Sequence, residues 1–212
     1  MGNDEQSIIT KLKDLYIIQY GHYIIQYPEP RGYCTYIKGE IQNGKRTKPL
    51  LDWQFQKHLN GKFTVGTFGG KVMTKFMTFD VDFNKNPQLT KWITYKVAKT
   101  LDDLNLHNYY ISFSGSKGYH IDLFFDEYLQ IIYAQKLFAY VIELSDVKQY
   151  FIDGDKIEFR PTDRQGVKLP LGIHQKTEKY CGFCLVEDGL KVMATKESIK
   201  YLLAFRKRVN KK

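Results

Sequence analysis

The chain has 212 residues, 43% of them hydrophobic and 15% aromatic, enough apolar material for a sizeable core and too much for a disordered chain. No apolar run approaches the roughly 20 residues that span a bilayer, the acidic start Met-Gly-Asn-Asp-Glu-Gln is no signal peptide, and three cysteines suit a reducing, cytoplasmic setting better than a disulfide framework. The net charge of +9 suits a polyanionic partner, yet Arg206, Lys207, Arg208, Lys211 and Lys212 supply five of the nine and leave the body at only +4.

In chain order, Ile8, Ile9, Leu12 and Leu15 recur at helical spacing and predict a first helix over 5–18. A turn-rich link follows at 27–32, then a short strand at 33–38 and a basic loop opened by Asn43-Gly44. Pro49 opens a second predicted helix, with Leu51, Phe55 and Leu59 at steps of four and Asn60-Gly61 as its stop. Residues 62–68 read as a strand. From 75 the pattern sharpens into a strand to Phe83, then a helix capped by Asn86-Pro87 with Leu89, Trp92, Ile93, Val97 and Leu101 inward. Strands at Tyr109 to Phe113 and Tyr119 to Phe125 flank the tight turn 114–118. A helix from Leu129 to Leu144 and a strand from Lys156 to Arg160 complete a β-α-β-β-α-β order, the ferredoxin-like arrangement. Beyond it lie an extended segment at 167–173, a strand at 180–186 and a C-terminal helix from about Lys196 with Ile199, Leu202, Leu203 and Phe205 as its apolar stripe. The expected class is α+β: an N-terminal α/β lobe over 1–70, an RRM-like catalytic core over 71–194, and a helix with a basic tail over 195–212.

Side-chain parity ties three of these strands to one site. In residues 75–83 Met77, Phe79, Val81 and Phe83 share one face, and Thr78, Asp80 and Asp82 share the other. Two carboxylates side by side on a strand repel, and a divalent cation removes the repulsion by using both as oxygen ligands. His120 and Asp122 alternate against Tyr119, Ile121 and Leu123; Glu158 and Arg160 alternate against Ile157 and Phe159. With every apolar face turned to the two helices, Asp80, Asp82, His120 and Glu158 are expected on the open face of one sheet, His120 and Glu158 flanking the aspartates. Three carboxylates converging there would hold two divalent ions about 4 Å apart, as phosphoryl transfer uses them. The turn Ser114-Gly115-Ser116-Lys117-Gly118 offers backbone N–H groups and an ammonium to a phosphate.

Phe79-Asp-Val-Asp82, Ser114-Gly-Ser-Lys-Gly-Tyr-His120 and Ile157-Glu-Phe-Arg-Pro161 together resemble the three motifs of the archaeo-eukaryotic primase superfamily. Lys168-Leu-Pro-Leu-Gly-Ile-His-Gln-Lys176 adds a fourth matching block, and residues 58–66 resemble the segment before the first motif in primase-polymerases of CRISPR-associated and related conflict systems. The resemblance covers roughly residues 50 to 190 and implies a template-directed nucleotidyltransferase, a DNA primase-polymerase that also initiates primers. It implies two divalent metal ions, Mn²⁺ or Mg²⁺, on Asp80, Asp82 and Glu158, and a nucleotide triphosphate on Ser114, Ser116, Lys117, His120, Arg160, Lys168 and His174. Glu158 stands where the superfamily often has aspartate, and His174 where some relatives have arginine. The implied partners are single-stranded DNA template, nucleoside triphosphates (dNTP or NTP), and CRISPR adaptation proteins or other domains of a longer chain; no membrane is implied.

Two other functions fit the same core. Lys117 to Phe124 partly matches the RNA-binding RRM signature, in which Tyr119 and Ile121 would face outward and stack on bases; a nucleotide cyclase is the second. Cys181-Gly-Phe-Cys184 lacks the two further ligands that structural zinc requires and reads by default as a hairpin with two buried thiols. The basic tail 206–212 is expected to add non-specific affinity for single strands and to take no part in chemistry.

Overall fold

The computed structural model describes residues 2–83, 86–152 and 155–205. The basic tail lies outside them. Among the described residues the α-helices and strands follow in the order α1 (Gly2–Tyr16), β1 (His22–Gln26), β2 (Tyr33–Ile37), β3 (Ile41–Gln42), β4 (Lys45–Arg46), α2 (Asp52–Leu59), β5 (Thr64–Thr67), β6 (Met73–Asp82), α3 (Pro87–Asp103), β7 (Tyr109–Phe113), β8 (Tyr119–Gln130), α4 (Ile131–Leu144), β9 (Lys156–Arg160), β10 (Val167–Lys168), β11 (Phe183–Cys184) and α5 (Thr195–Ala204). The fold is mixed α+β with antiparallel sheets. A five-stranded sheet runs β11-β7-β8-β6-β9 and a four-stranded sheet β10-β5-β1-β2. None of the described helices is long and apolar enough to cross a membrane.

Local chemistry sets the elements that matter for the site. Asn86 caps α3 by accepting the Leu89 N–H at 3.0 Å, with Pro87 in the first turn where no N–H is needed. Asn43 and Gly44 both take positive φ, 49° and 73°, the geometry of a two-residue hairpin turn. The basic loop is therefore a hairpin, β3 and β4. The strand β1, between Tyr16 and the turn at 27–32, was not foreseen; it is the inner strand that joins β2 to β5.

The five-stranded sheet is covered on both faces. Met77, Phe79, Val81, Ile121 and Leu123 pack against α3 and α4 through Ile93, Val97, Leu101, Val141 and Ile142. Trp92, expected inward, is 40% exposed and meets Tyr150 edge-on instead, because Ile93 fills the core position beside it. On the opposite face Phe76, Tyr110 and Phe124 pack against Tyr16 of α1 and Leu202 of α5 in one core with the four-stranded sheet. Tyr16 meets Phe76 and Phe124 edge-on at 5.3 and 5.2 Å, the favoured geometry for aromatic pairs.

The face expected to be open is thus roofed over half its length. Along β6 the same-face residues run from Phe76 and Thr78, fully buried, to Asp80 and Asp82, half-buried. Asp122 lies at the closed end. Its carboxylate accepts hydrogen bonds from the Tyr16 hydroxyl at 3.0 Å and the Thr78 hydroxyl at 2.6 Å. Without those two donors a buried carboxylate would cost several kcal/mol.

Candidate active site

The strand register brings the sequence-predicted residues together. Asp80 pairs with His120 on β8 and with Glu158 on β9. A cleft of about 530 Å³ opens between the two sheets at this end. Eight of the ten predicted residues line it: Asp80, Asp82, Ser114, Ser116, His120, Arg160, Lys168 and His174. Glu158 and Lys117 do not. Lys117 is exposed at the tip of the turn, where its charge acts on Asp82. The Glu158 carboxylate is turned to Arg160, its Oε2 accepting from the guanidinium, and lies 3.2 Å from the Lys156 ammonium. Among the described residues no three His, Cys, Asp or Glu side chains converge closely enough to form a metal cluster. Glu158, the third carboxylate expected beside the aspartates, is paired with Arg160 and Lys156.

The aspartate pair itself fits a cation. Burial raises the Asp80 pKa to about 6, Glu158 raising it further and Arg160 and Lys168 opposing. Burial, then the charge of Asp80, raises Asp82 as well, against Lys117 and Lys168. Asp82 Oδ1 is buried with no hydrogen-bond partner. A buried carboxylate oxygen left unsatisfied beside a second carboxylate is what a divalent ion would complete.

Cations and neutral donors surround the pair. Lys168, brought in on β10 of the four-stranded sheet, donates from Nζ to the Ser114 carbonyl at 2.8 Å; burial lowers its pKa, while Asp80 and Asp82 oppose that. Arg160 Nε lies 3.8 Å from Asp80 Oδ2. His120 Nε2 lies 3.5 Å from Asp80 Oδ1, and burial, with Lys168 and Arg160, drives its pKa down to about 3. It is a neutral imidazole at physiological pH, so it would serve a phosphate as a dipolar donor and not as a cation. Burial and Lys168 likewise hold His174 neutral, at about 4. Its Nδ1 accepts the Thr177 N–H at 3.2 Å, and its Nε2 lies 3.4 Å from the Gln26 amide nitrogen.

The turn between β7 and β8 is tightly determined. Ser114 N–H donates to the Gly118 carbonyl at 2.9 Å, and Ser114 Oγ accepts the Gly118 N–H at 3.2 Å. Gly115 takes φ +83°, and a Cβ on it would run into His174 and Cys181; one on Gly118 would run into the Val81 carbonyl. Cys181 and Cys184 are both buried thiols, pushed up to about 11 and about 12 by burial.

The cleft also has residues that motif reading missed. Ile24, Tyr33 and Thr35 come from β1 and β2, Phe68 from the end of β5, and Arg164 and Gln165 from the turn after β9. Alternation in β2 could have flagged Tyr33; nothing local signals Arg164. The RNA-binding alternative fails on the same strands. Tyr119 and Ile121, which it needs outward, are buried against α3 and α4.

A family model for the archaeo-eukaryotic primase domain of TOTE conflict systems matches residues 19–211. The chain belongs to this family. Membership brings a primase-like, nucleotidyltransferase type of function to a cleft already lined by acids, cations and a glycine turn. Among solved structures, the polymerase domain of Mycobacterium tuberculosis ligase D in complex with DNA shares the fold, with a TM-score of 0.56 at 14% identity over 95% of this chain and 88% of that one. No curated protein sequence matches significantly.

Proposed function

We propose that this primase-family domain joins nucleoside triphosphates on a single-stranded DNA template, starting primers itself. The observation that carries the reading is the half-buried Asp80–Asp82 pair, with its unsatisfied Oδ1, facing Lys168 and the Ser114–Gly118 turn across one cleft. The unit β6-α3-β7-β8-α4-β9, with strand order β7-β8-β6-β9, supports an RRM-like core over 71–194 to which 1–70 adds the lobe and 195–212 the last helix and tail.

Asp80 and Asp82 would hold divalent cations, Mn²⁺ or Mg²⁺, with Glu158 one strand away as the third donor. Bound there, the ions would neutralise the triphosphate and stabilise the attacking and leaving oxygens. The protein's own groups do the rest. Lys168 and Arg160 offset phosphate charge from within the cleft, and Lys117 does so from its rim. Ser116, and the N–H groups of a turn that Ser114 and Gly118 hold rigid, can donate to phosphate oxygens. His120, neutral, would add an N–H donor without adding charge, with His174 beside it in the lining. Tyr33, exposed on the cleft side of β2, offers a ring to a base.

The test is incubation with single-stranded template, labelled nucleotides and Mn²⁺ or Mg²⁺. Nucleotide incorporation is expected, and Asp80→Ala and Asp82→Ala should each abolish it while the fold persists. Near-normal synthesis by either variant would contradict the assignment.

A further inference from the structure

The basic hairpin β3–β4 borders a second cavity, of about 540 Å³, which the cleft does not share. It lies on the other face of the four-stranded sheet. The cross-strand pair Ile24 and Thr35 lines the cleft, while the neighbouring pair Tyr23 and Tyr36 lines the second cavity. One wall is aromatic. Tyr23 and Tyr36 stack at 5.1 Å and 12°, Tyr27 lies beside them, and Trp53 is 50% exposed and perpendicular to the Phe63 ring at 6.2 Å. The opposite wall carries Lys45, Arg46 and Lys48, all exposed, and no carboxylate lines the cavity. No described side chain pairs with these three cations. Asp52, at the start of α2, is engaged by Lys13 and Gln6.

Aromatic side chains alone would be an incompletely covered core, and exposed lysines alone a solvated surface. Together, with no acid between them, they select a ligand that carries both flat rings and negative charge. A duplex hides its bases, and a peptide rarely alternates ring and charge at every residue; a single strand carries both in each nucleotide. We infer that this cavity is an accessory site for single-stranded nucleic acid, taking a base against Trp53 and Tyr36 and the flanking phosphates on Lys45, Arg46 and Lys48. The inference rests on the reading that the cleft works on a single-stranded template. The sheet edge joins the two sites. β2 is an edge strand, Tyr33 faces the cleft from it, and Arg31 sits 3.7 Å above the Tyr27 ring and donates to the Tyr36 hydroxyl at 2.8 Å on the far side. A strand leaving the cleft past Tyr33 rounds that edge onto the second cavity.

The experiment titrates a fluorescent fifteen-nucleotide oligothymidylate against the protein between about 50 and 200 mM salt. Each single-strand phosphate contact contributes roughly 0.7 to the slope of log affinity on log salt, so Lys45→Ala/Arg46→Ala/Lys48→Ala should lower the slope by about 2. Trp53→Ala should weaken binding about 5- to 100-fold through loss of one stacked base, and Trp53→Phe, which keeps a ring, should restore most of it. The triple variant alters only exposed side chains, so its result stands even if Trp53→Ala fails to fold. An unchanged slope and affinity in the triple variant overturns the inference, as does displacement of the oligonucleotide by polyglutamate at equal charge. Should the protein make no product while these variants bind as expected, the catalytic reading falls and the accessory site stands.

Discussion

Replacing Asp122 by asparagine should change how stability depends on pH. Asp122 is buried beneath α1, and burial, the largest cause, raises its pKa from the ordinary 3.8 to about 7; Asp80 adds to the rise, and the hydrogen bonds from Thr78 and Tyr16 oppose it. A carboxyl raised in the folded state contributes stability that is fully present below its unfolded pKa and is lost as pH climbs through its folded pKa. At roughly 1.4 kcal/mol per pH unit, the interval from 3.8 to about 7 amounts to on the order of 4 kcal/mol. About a third of that, roughly 1 kcal/mol, falls between pH 6 and pH 8. His58, His120 and His174, lowered to about 4, 3 and 4 by burial, tilt stability the opposite way, since they are neutral when folded and protonate when unfolded. They tilt wild type and variant alike, so the difference between the two isolates the carboxyl. Asparagine keeps one acceptor and offers the Tyr16 oxygen a donor, at a cost of about 1 kcal/mol that does not vary with pH. In urea unfolding at pH 6, 7 and 8, the variant's stability relative to wild type should rise by roughly 1 kcal/mol across the series. Parallel pH profiles would refute the placement of Asp122 under the α1 roof.

Mn²⁺ titrated calorimetrically into the nucleotide-free protein should bind about tenfold more weakly for each pH unit below about 6, because Asp80 must be ionised to hold it; Asp80→Asn and Asp82→Asn should remove the binding, and affinity flat from pH 7 to pH 5 would contradict this. Lys117→Ala and His120→Ala should each weaken nucleotide binding more than single-strand binding, read from parallel equilibrium titrations, and loss of template affinity alone would count against their assignment. Gly118→Ala should destabilise the protein by about 2 kcal/mol or more in urea, since its Cβ has no room beside the Val81 carbonyl; a neutral result would show that the turn is looser than described.

The strands of the five-stranded sheet were legible because one face packs α3 and α4 with apolar residues while the other carries the polar residues of the site at its open end, so β6, β8 and β9 alternate there. Hence Tyr109–Phe113 and Lys156–Arg160 fall where expected, and Asp80 meets His120 and Glu158 in register. β1 was not legible because it serves two faces. Tyr23 and Ile25 go into one core and Ile24 into the cleft, leaving an unbroken apolar run without the period-two signal. The roof over Asp122 could not be read either, since its donor Tyr16 lies 106 residues away on a helix whose apolar face gives no hint of what it covers. The carboxylate trio was legible as three residues on one face. What the sequence pattern could not convey is that Arg160, two residues on along the same face of β9, would take up Glu158.

Unprimed synthesis on homopolymer templates separates templated joining from untemplated joining. Each of four single-stranded homopolymers is offered with all nucleotides, one labelled at a time, and with Mn²⁺ or Mg²⁺. Short labelled products whose base is the complement of the template are expected: adenine nucleotides on oligothymidylate, guanine nucleotides on oligodeoxycytidylate. Products of the same composition on every template, or no product with any template, nucleotide or metal, would contradict templated joining.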